Sequence, residues 1–284
     1  MLTEAARPES IVETEWVARH LDDSAIRLVE VDVDLGAYVE GHIPGAAQWD
    51  WTSHLNEPVQ RNILSKDQMD RLLGESGITR DTELILYGDT NNWFAAYAFW
   101  QMKLYGHSRV KLMDGGRQKW IDEGREMTAE LPNHPRRPYR ASDADVRLRA
   151  LRDRVLESVR GGDDVKLVDV RFPLEYAGDW LTPPNVPQEW WSPQRAGRIP
   201  GAVNIPCVDA VNEDGTFKPV DDLRELYGAK GITADKEVIT YCLNGYRSSH
   251  TWFVLTQILG YTRVRNYDGS WSEYSSIVGA PIEI

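Results

Sequence analysis

The 284-residue chain contains two cysteines, Cys207 and Cys242, and only Cys242 stands in a setting suited to chemistry. It ends the apolar run "VITY" and is followed by Leu243, Asn244, Gly245, Tyr246, Arg247 and Ser248. After these comes an amphipathic stretch, "SSHTWFVLTQILG", in which Trp252, Leu255 and Leu259 share a helical face. Gly245 lets the backbone turn its N–H groups inward. A helix expected to begin near Ser248 or Ser249 directs its positive end to the same point, and Arg247 adds a full positive charge. Such a cradle stabilises a thiolate or a bound anion, and a thiolate is the nucleophilic form of cysteine. Cys207, in "NIPCVDA", follows a proline and has no basic neighbour, so it reads as a small buried hydrophobe.

The elements that position Cys242 are written twice. "GITRDTELILY" from Gly77 returns as "GITADKEVITY" from Gly231, and 231 − 77 = 154. The same offset carries Tyr87 to Tyr241, Gly106 to Gly260 and "RVKLMDG" to "RVRNYDG", while "GHIPGA" at Gly41 returns as "GRIPGA" at Gly197 with offset 156. A collinear repeat of this kind sets the architecture before any single element does. In each copy short β-branched runs such as "LVEVDV", "ELILY", "KLVDV" and "EVITY" have the continuous apolarity of strands buried on both faces, and segments of helical length lie between them. The expected fold is therefore α/β, two tandem domains each built on a mainly parallel sheet flanked by helices. Residues 1–125 form the first domain, 126–149 a proline-punctuated linker and 150–284 the second domain. A Pro-rich insertion in the second copy, "DWLTPPNVPQEWWSPQRA", is expected to be an ordered loop near the domain interface. The copies differ where chemistry can live: Gly88 stands where the other copy has Cys242. The carboxyl end of a strand in an open α/β sheet is the usual place for a ligand.

Composition narrows the classes of function. With 42% hydrophobic and 10% aromatic residues the chain can build packed cores. A formal charge of −12 disfavours nucleic acid or an anionic membrane as partner. No basic-then-apolar leader opens the sequence, and no apolar run is long enough to span a bilayer. Two cysteines cannot make a disulfide framework, which suits a reducing cytoplasm.

At these residues the chain resembles the tandem-domain rhodanese family, the thiosulfate and 3-mercaptopyruvate sulfurtransferases, and especially the actinobacterial thiosulfate enzymes. The likeness rests on "GHIPGA/GRIPGA", "LVDVR", "CLNGYRS", "NEDGTFK", "RSSHTWFVL" and the closing "YDGSWSEYSSIVGAPIE", and it covers nearly the whole chain. It implies a non-catalytic first domain, a site in the cleft between domains, no metal and no cofactor. Cys242 would attack the outer sulfur of a donor, release sulfite or pyruvate, and hold a persulfide until cyanide or a thiol removes it. A thioredoxin-like reductant fits as a further partner. Backbone N–H groups from Leu243 to Ser248 would cradle the persulfide, and Arg247 and Arg195 would bind the donor anion, with Arg171 and Arg61 as additional cations. The Cys-x4-Arg spacing is one residue shorter than the Cys-x5-Arg loop with which tyrosine phosphatases wrap phosphate. Mercaptopyruvate enzymes resemble one another in a loop serine and in a histidine eleven residues after an aspartate. Here Asn244 takes the serine position, and Arg61 lies 61 − 50 = 11 residues after Asp50, so that proton relay is interrupted and thiosulfate is the expected donor. Two departures from close relatives are Leu243, where arginine is common, and Arg198 in "GRIPGA". The alternatives in view are a mercaptopyruvate enzyme, and a persulfide carrier serving a specific protein partner.

Overall fold

The structure, a computed structural model, describes residues 4–161, 164–182 and 193–284, in two compact units. The first unit holds Glu9–Asp145 together with Asn212–Phe217. The second holds the chain up to Pro8, then Val146–Val211 and Lys218–Ile284.

In the first unit five parallel strands run β1 (Ile11–Val12), β2 (Ile26–Asp32), β3 (Ala47–Asp50), β6 (Glu83–Tyr87) and β7 (Val110–Met113), in the spatial order β1-β7-β6-β2-β3. A small antiparallel hairpin, β4 (Asn56–Glu57) with β5 (Asn62–Ile63), stands apart. The second unit has β8 (Val165–Asp169), β9 (Val203–Asn204), β10 (Glu237–Tyr241) and β11 (Val264–Asn266), all parallel, in the order β11-β10-β8-β9. The strands named from sequence are these strands, and β6 and β10 occupy matching central places because both faces of each are covered. One bond recurs in both copies. The Tyr87 hydroxyl accepts the Ile43 N–H at 3.2 Å and the Tyr241 hydroxyl accepts the Ile199 N–H at 3.2 Å, so each central strand is tied to its own "IPGA" turn.

The helix Tyr246–Phe253 follows β10 and continues as a π-helical turn, Val254–Ile258. A π turn displaces the regular i−4 bonds of the helix end. The N–H groups of Ala6 and Arg7 donate to Ile258 O at 2.8 Å and Gln257 O at 2.9 Å, so the start of the chain satisfies carbonyls there.

Two boundaries differ from expectation in a way the hydrogen bonds explain. The stretch 126–149 read as linker, but Ser142 N–H bonds Tyr105 O at 2.9 Å and Asp145 N–H bonds Leu104 O at 2.8 Å, and the division falls after Asp145. "NEDGTF", placed with the second copy by sequence order, belongs with the first unit, where Lys119 reaches Asp214 at 2.9 Å and Phe217 N–H donates to Asp114 at 3.0 Å. Of the Pro-rich insertion, residues 183–192 lie outside the described residues.

The first unit buries acids at its strand ends. Burial, the dominant cause, pushes Glu30 up to about 7 and Asp32 up to about 8, the latter aided by Asp89; Asp114 likewise rises to about 7. In the unfolded chain such carboxyls ionise near ~4. The folded state therefore keeps protons that the unfolded state has lost between those values, and stability, full at the acid end, declines as pH rises through the window. The expected outcome is a urea midpoint that falls steadily from pH 5 to pH 8, with a shallower fall in Asp32→Asn. A flat profile in the parent protein contradicts this assignment.

Candidate active site

Cys242 follows the last residue of β10 and is completely buried. The turn after it is short because Gly245 takes the left-handed conformation (φ 90°) and caps the helix directly, so the helix begins at Tyr246. Sequence reading placed that start at Ser248 or Ser249, because serine is a favoured cap. Here both hydroxyls instead bond back to the Gly245 carbonyl, Ser248 Oγ at 3.0 Å and Ser249 Oγ at 2.8 Å. The earlier start puts the Gly245 N–H on the sulfur: it donates to Cys242 Sγ at 3.1 Å. Tyr246, Arg247 and Ser248 supply the first-turn N–H groups, which have no acceptor within a helix and set its positive end beside the sulfur. A side chain at Gly245 would place Cβ 2.9 Å from Asp268 Cα, so glycine is required twice over.

Asn266 and Ser270 hold this turn, and sequence reading assigned neither. Asn266, at the end of β11, accepts from Ser248 Oγ at 2.7 Å and donates to Ser249 Oγ at 2.8 Å. Ser270 Oγ accepts the Cys242 N–H at 3.0 Å and lies 3.9 Å from Sγ. Ser270 adopts a left-handed backbone (φ 53°), a strained choice for a non-glycine that aims the hydroxyl at the loop. Both were visible in the repeat: the first copy has Leu112 where Asn266 stands and Gly116 where Ser270 stands.

The arginines behave differently from expectation. Arg247 is 1% exposed, and its guanidinium forms a two-pronged pair with Glu175, Nη1 to Oε2 at 2.7 Å and Nη2 to Oε1 at 2.9 Å. Its charge is thus answered by a buried carboxylate. Burial opposes that charge, but Tyr246 and Glu175 outweigh it and hold the guanidinium ionised. Arg171 makes the same kind of pair with Asp169, Nη2 to Oδ2 at 2.6 Å, and its guanidinium lies 4.8 Å from the centre of the Trp271 ring. Arg195 spends its donors on backbone carbonyls of Ser275, Ala280 and Ile277 at 2.7–3.0 Å, fastening the C-terminal segment. Arg198 pairs with Glu283 at 3.4 Å and stacks on Tyr176. Leu243 sends its side chain into the core with Leu167, Ile199, Tyr241 and Trp271, so it supplies no apolar wall for a donor. Asn244 and Tyr246 are buried in the turn. In the first unit Asp50 caps the Trp51–His54 helix, accepting from Thr52 N–H at 2.9 Å and from Ser53 Oγ at 2.6 Å, while Arg61 sits exposed in the left-handed turn between β4 and β5.

Cys207 is buried, and burial pushes its thiol up to about 12, so it stays protonated at neutral pH. The equivalent turn of the first unit is closed. Gly88 N–H donates to Asn92 Oδ1 at 2.9 Å and Asn92 Nδ2 donates to Met113 O at 2.7 Å, so an amide oxygen does for the Gly88 N–H what the Ser270 hydroxyl does for the Cys242 N–H. Gly116 makes room for it, since a Cβ there would meet Asn92 Oδ1 at 2.7 Å.

A buried thiol on a strand end, with a helix N-terminus and backbone N–H groups gathered around it in one of two repeated α/β units, marks the candidate active site. Rhodanese-like domains match residues 13–123 and 152–277, and the chain belongs to that family. It is 50% identical to a Saccharopolyspora erythraea protein named "Putative thiosulfate sulfurtransferase" over 98% of this chain and 97% of the relative. It is also 50% identical, with the same coverage, to the Thermus thermophilus "Sulfur carrier protein TtuD". Among solved structures, the anaerobic ergothioneine biosynthesis enzyme of Chlorobium limicola superposes with a TM-score of 0.83 at 26% identity, covering 97% of this chain and 70% of that one. These relatives make the protein a member of a sulfurtransferase family.

Removing one partner of a buried ion pair strands the other charge and costs about 3–5 kcal/mol. Glu175→Gln is expected to lower the unfolding free energy by about that much in urea denaturation, whereas Glu283→Gln, at the half-exposed Arg198 pair, costs under about 1 kcal/mol. Equal effects would show that the Arg247–Glu175 pair is not a fixed strut of the loop.

Proposed function

We propose that the protein is a thiosulfate sulfurtransferase that works through a persulfide on Cys242. The observation that carries this reading is the Gly245 N–H on Cys242 Sγ at the head of the Tyr246–Phe253 helix. That arrangement favours negative charge on sulfur before, during and after transfer. The thiolate attacks the outer sulfur of thiosulfate; the new S–S bond forms as the sulfur–sulfite bond breaks, and the electron pair leaves with sulfite. Cyanide or a thiolate acceptor then attacks the terminal sulfur, taking it as thiocyanate or persulfide and returning Cys242 as thiolate. Sulfite leaves as a stable anion and needs no proton donor, which agrees with the interrupted Asp50-to-Arg61 relay. Since Arg247, Arg171 and Arg195 have protein partners, stabilisation of the donor rests chiefly on backbone N–H groups rather than on guanidinium charge.

The Thermus relative's name favours a second reading, in which the physiological acceptor of the Cys242 sulfur is a partner protein. The chemistry at Cys242 is the same in both.

Cys242→Ser is expected to reduce thiocyanate formation to background while Cys207→Ser keeps most of it. Intact-mass spectra after thiosulfate should gain the mass of one sulfur atom in the parent and in Cys207→Ser only. At equal pH and ionic strength kcat/KM should be higher for thiosulfate than for 3-mercaptopyruvate. Turnover by Cys242→Ser overturns the nucleophile, and a preference for mercaptopyruvate overturns the donor.

A further inference from the structure

The first unit contains no cysteine, yet it carries a preformed groove of about 500 Å³ between the Lys66–Glu75 helix and the stretch Arg136–Tyr139. Several bonds fix its walls. Arg137 N–H donates to Gly74 O at 2.9 Å, an approach that only glycine permits, because a Cβ on Gly74 would stand 2.6 Å from Arg137 O. Asp70 Oδ1 accepts the Ala141 N–H at 2.5 Å, and the buried Tyr139 hydroxyl meets His107 Nδ1 at 2.9 Å. Pro135 and Pro138 hold the intervening backbone extended.

Arg71, Arg136 and Arg137 line this groove and are exposed. Among the described residues none of the three has an ion pair or a side-chain hydrogen bond. Elsewhere in the unit Arg117 pairs with Glu30 at 3.4 Å and Arg125 with Glu15 at 3.0 Å. Two acids, Asp67 and Asp70, share the groove with the three guanidinium groups, and Asp70 is held in place by the Ala141 N–H, so the lining carries one net positive charge. In a chain of formal charge −12, three arginines that outnumber the two acids beside them and make no ion pair among the described residues form a local field of the opposite sign. Guanidinium groups recognise carboxylates through paired N–H donors. The groove is open to solvent and its cations are spread over a helix and an extended strand, which suits a chain presenting several carboxylates better than a small enclosed metabolite.

We propose that this groove docks an acidic peptide segment of a partner protein. The inference is independent of the chemistry at Cys242, since every residue of the groove lies in the first unit.

The test is fluorescence anisotropy of a fluorescein-labelled peptide of eight glutamates with the full-length protein. Saturable binding that weakens as salt is raised is expected, because exposed ion pairs are screened. Arg136→Glu/Arg137→Glu should weaken binding at least about tenfold, as two attractions become repulsions. Arg136→Gln/Arg137→Gln should weaken it less, and Lys230→Glu, an exposed cation in the second unit, should leave it unchanged, as should the sulfur-transfer rate of the Arg136/Arg137 variants. Equal binding by parent and double-Glu variant overturns the proposal. So does failure of the glutamate peptide to bind where inorganic phosphate or a single-stranded oligonucleotide does.

Discussion

A buried sulfur can hold negative charge only where N–H dipoles replace the water it has lost, and the second unit is organised around that demand. The bond from Gly245 N–H to Cys242 Sγ requires a turn of fixed length ending in a left-handed residue. Ser248, Ser249 and Asn266 lock that residue's carbonyl to the neighbouring strand, and Ser270 holds the Cys242 N–H. Buried ion pairs occupy the next layer: Arg247 with Glu175, and Arg171 with Asp169. In a low-dielectric interior such pairs are strong positional constraints even when their net contribution to stability is small.

The same pairs leave the backbone as the main source of positive potential around Cys242. A free arginine beside the thiol would attract a dianionic donor from solution and strengthen its binding in the ground state. Backbone N–H groups at a helix start act over a shorter range and are already oriented, so in the proposed reaction they serve the charge that develops as the sulfur–sulfur bond breaks. Their contribution survives high salt better than that of exposed cations.

Much of this was legible in the sequence because the chain carries its own comparison. Gly77–Tyr87 against Gly231–Tyr241 sufficed to draw two α/β units, and Gly88 against Cys242 singled out the candidate nucleophile. The same comparison held Asn266 against Leu112 and Ser270 against Gly116, and reading it to its end would have found the two polar clamps. The arginines were not legible in this way. Glu175 lies 72 residues before Arg247, and the acceptors of Arg195 are backbone carbonyls, which leave no mark on residue type. The helix start was misplaced because serine has two uses at a helix end, as cap or as a bond back to a preceding carbonyl, and only φ at Gly245 decides between them.

The closed turn of the first unit has a consequence for how such a duplicated chain can change. To acquire a thiol at position 88 the chain must accept a Cβ that would lie 2.3 Å from Val31 O and 3.2 Å from Asp32 Oδ2, so the end of β2 has to move. Gly116, which stands where the second unit has Ser270, is blocked as well, because a Cβ there would lie 2.5 Å from Gly88 O. Neither side chain fits the backbone as it stands, so a second thiol turn cannot be written into the first unit by single substitutions alone. The two copies share a backbone plan but not the room for a sulfur at its strand end.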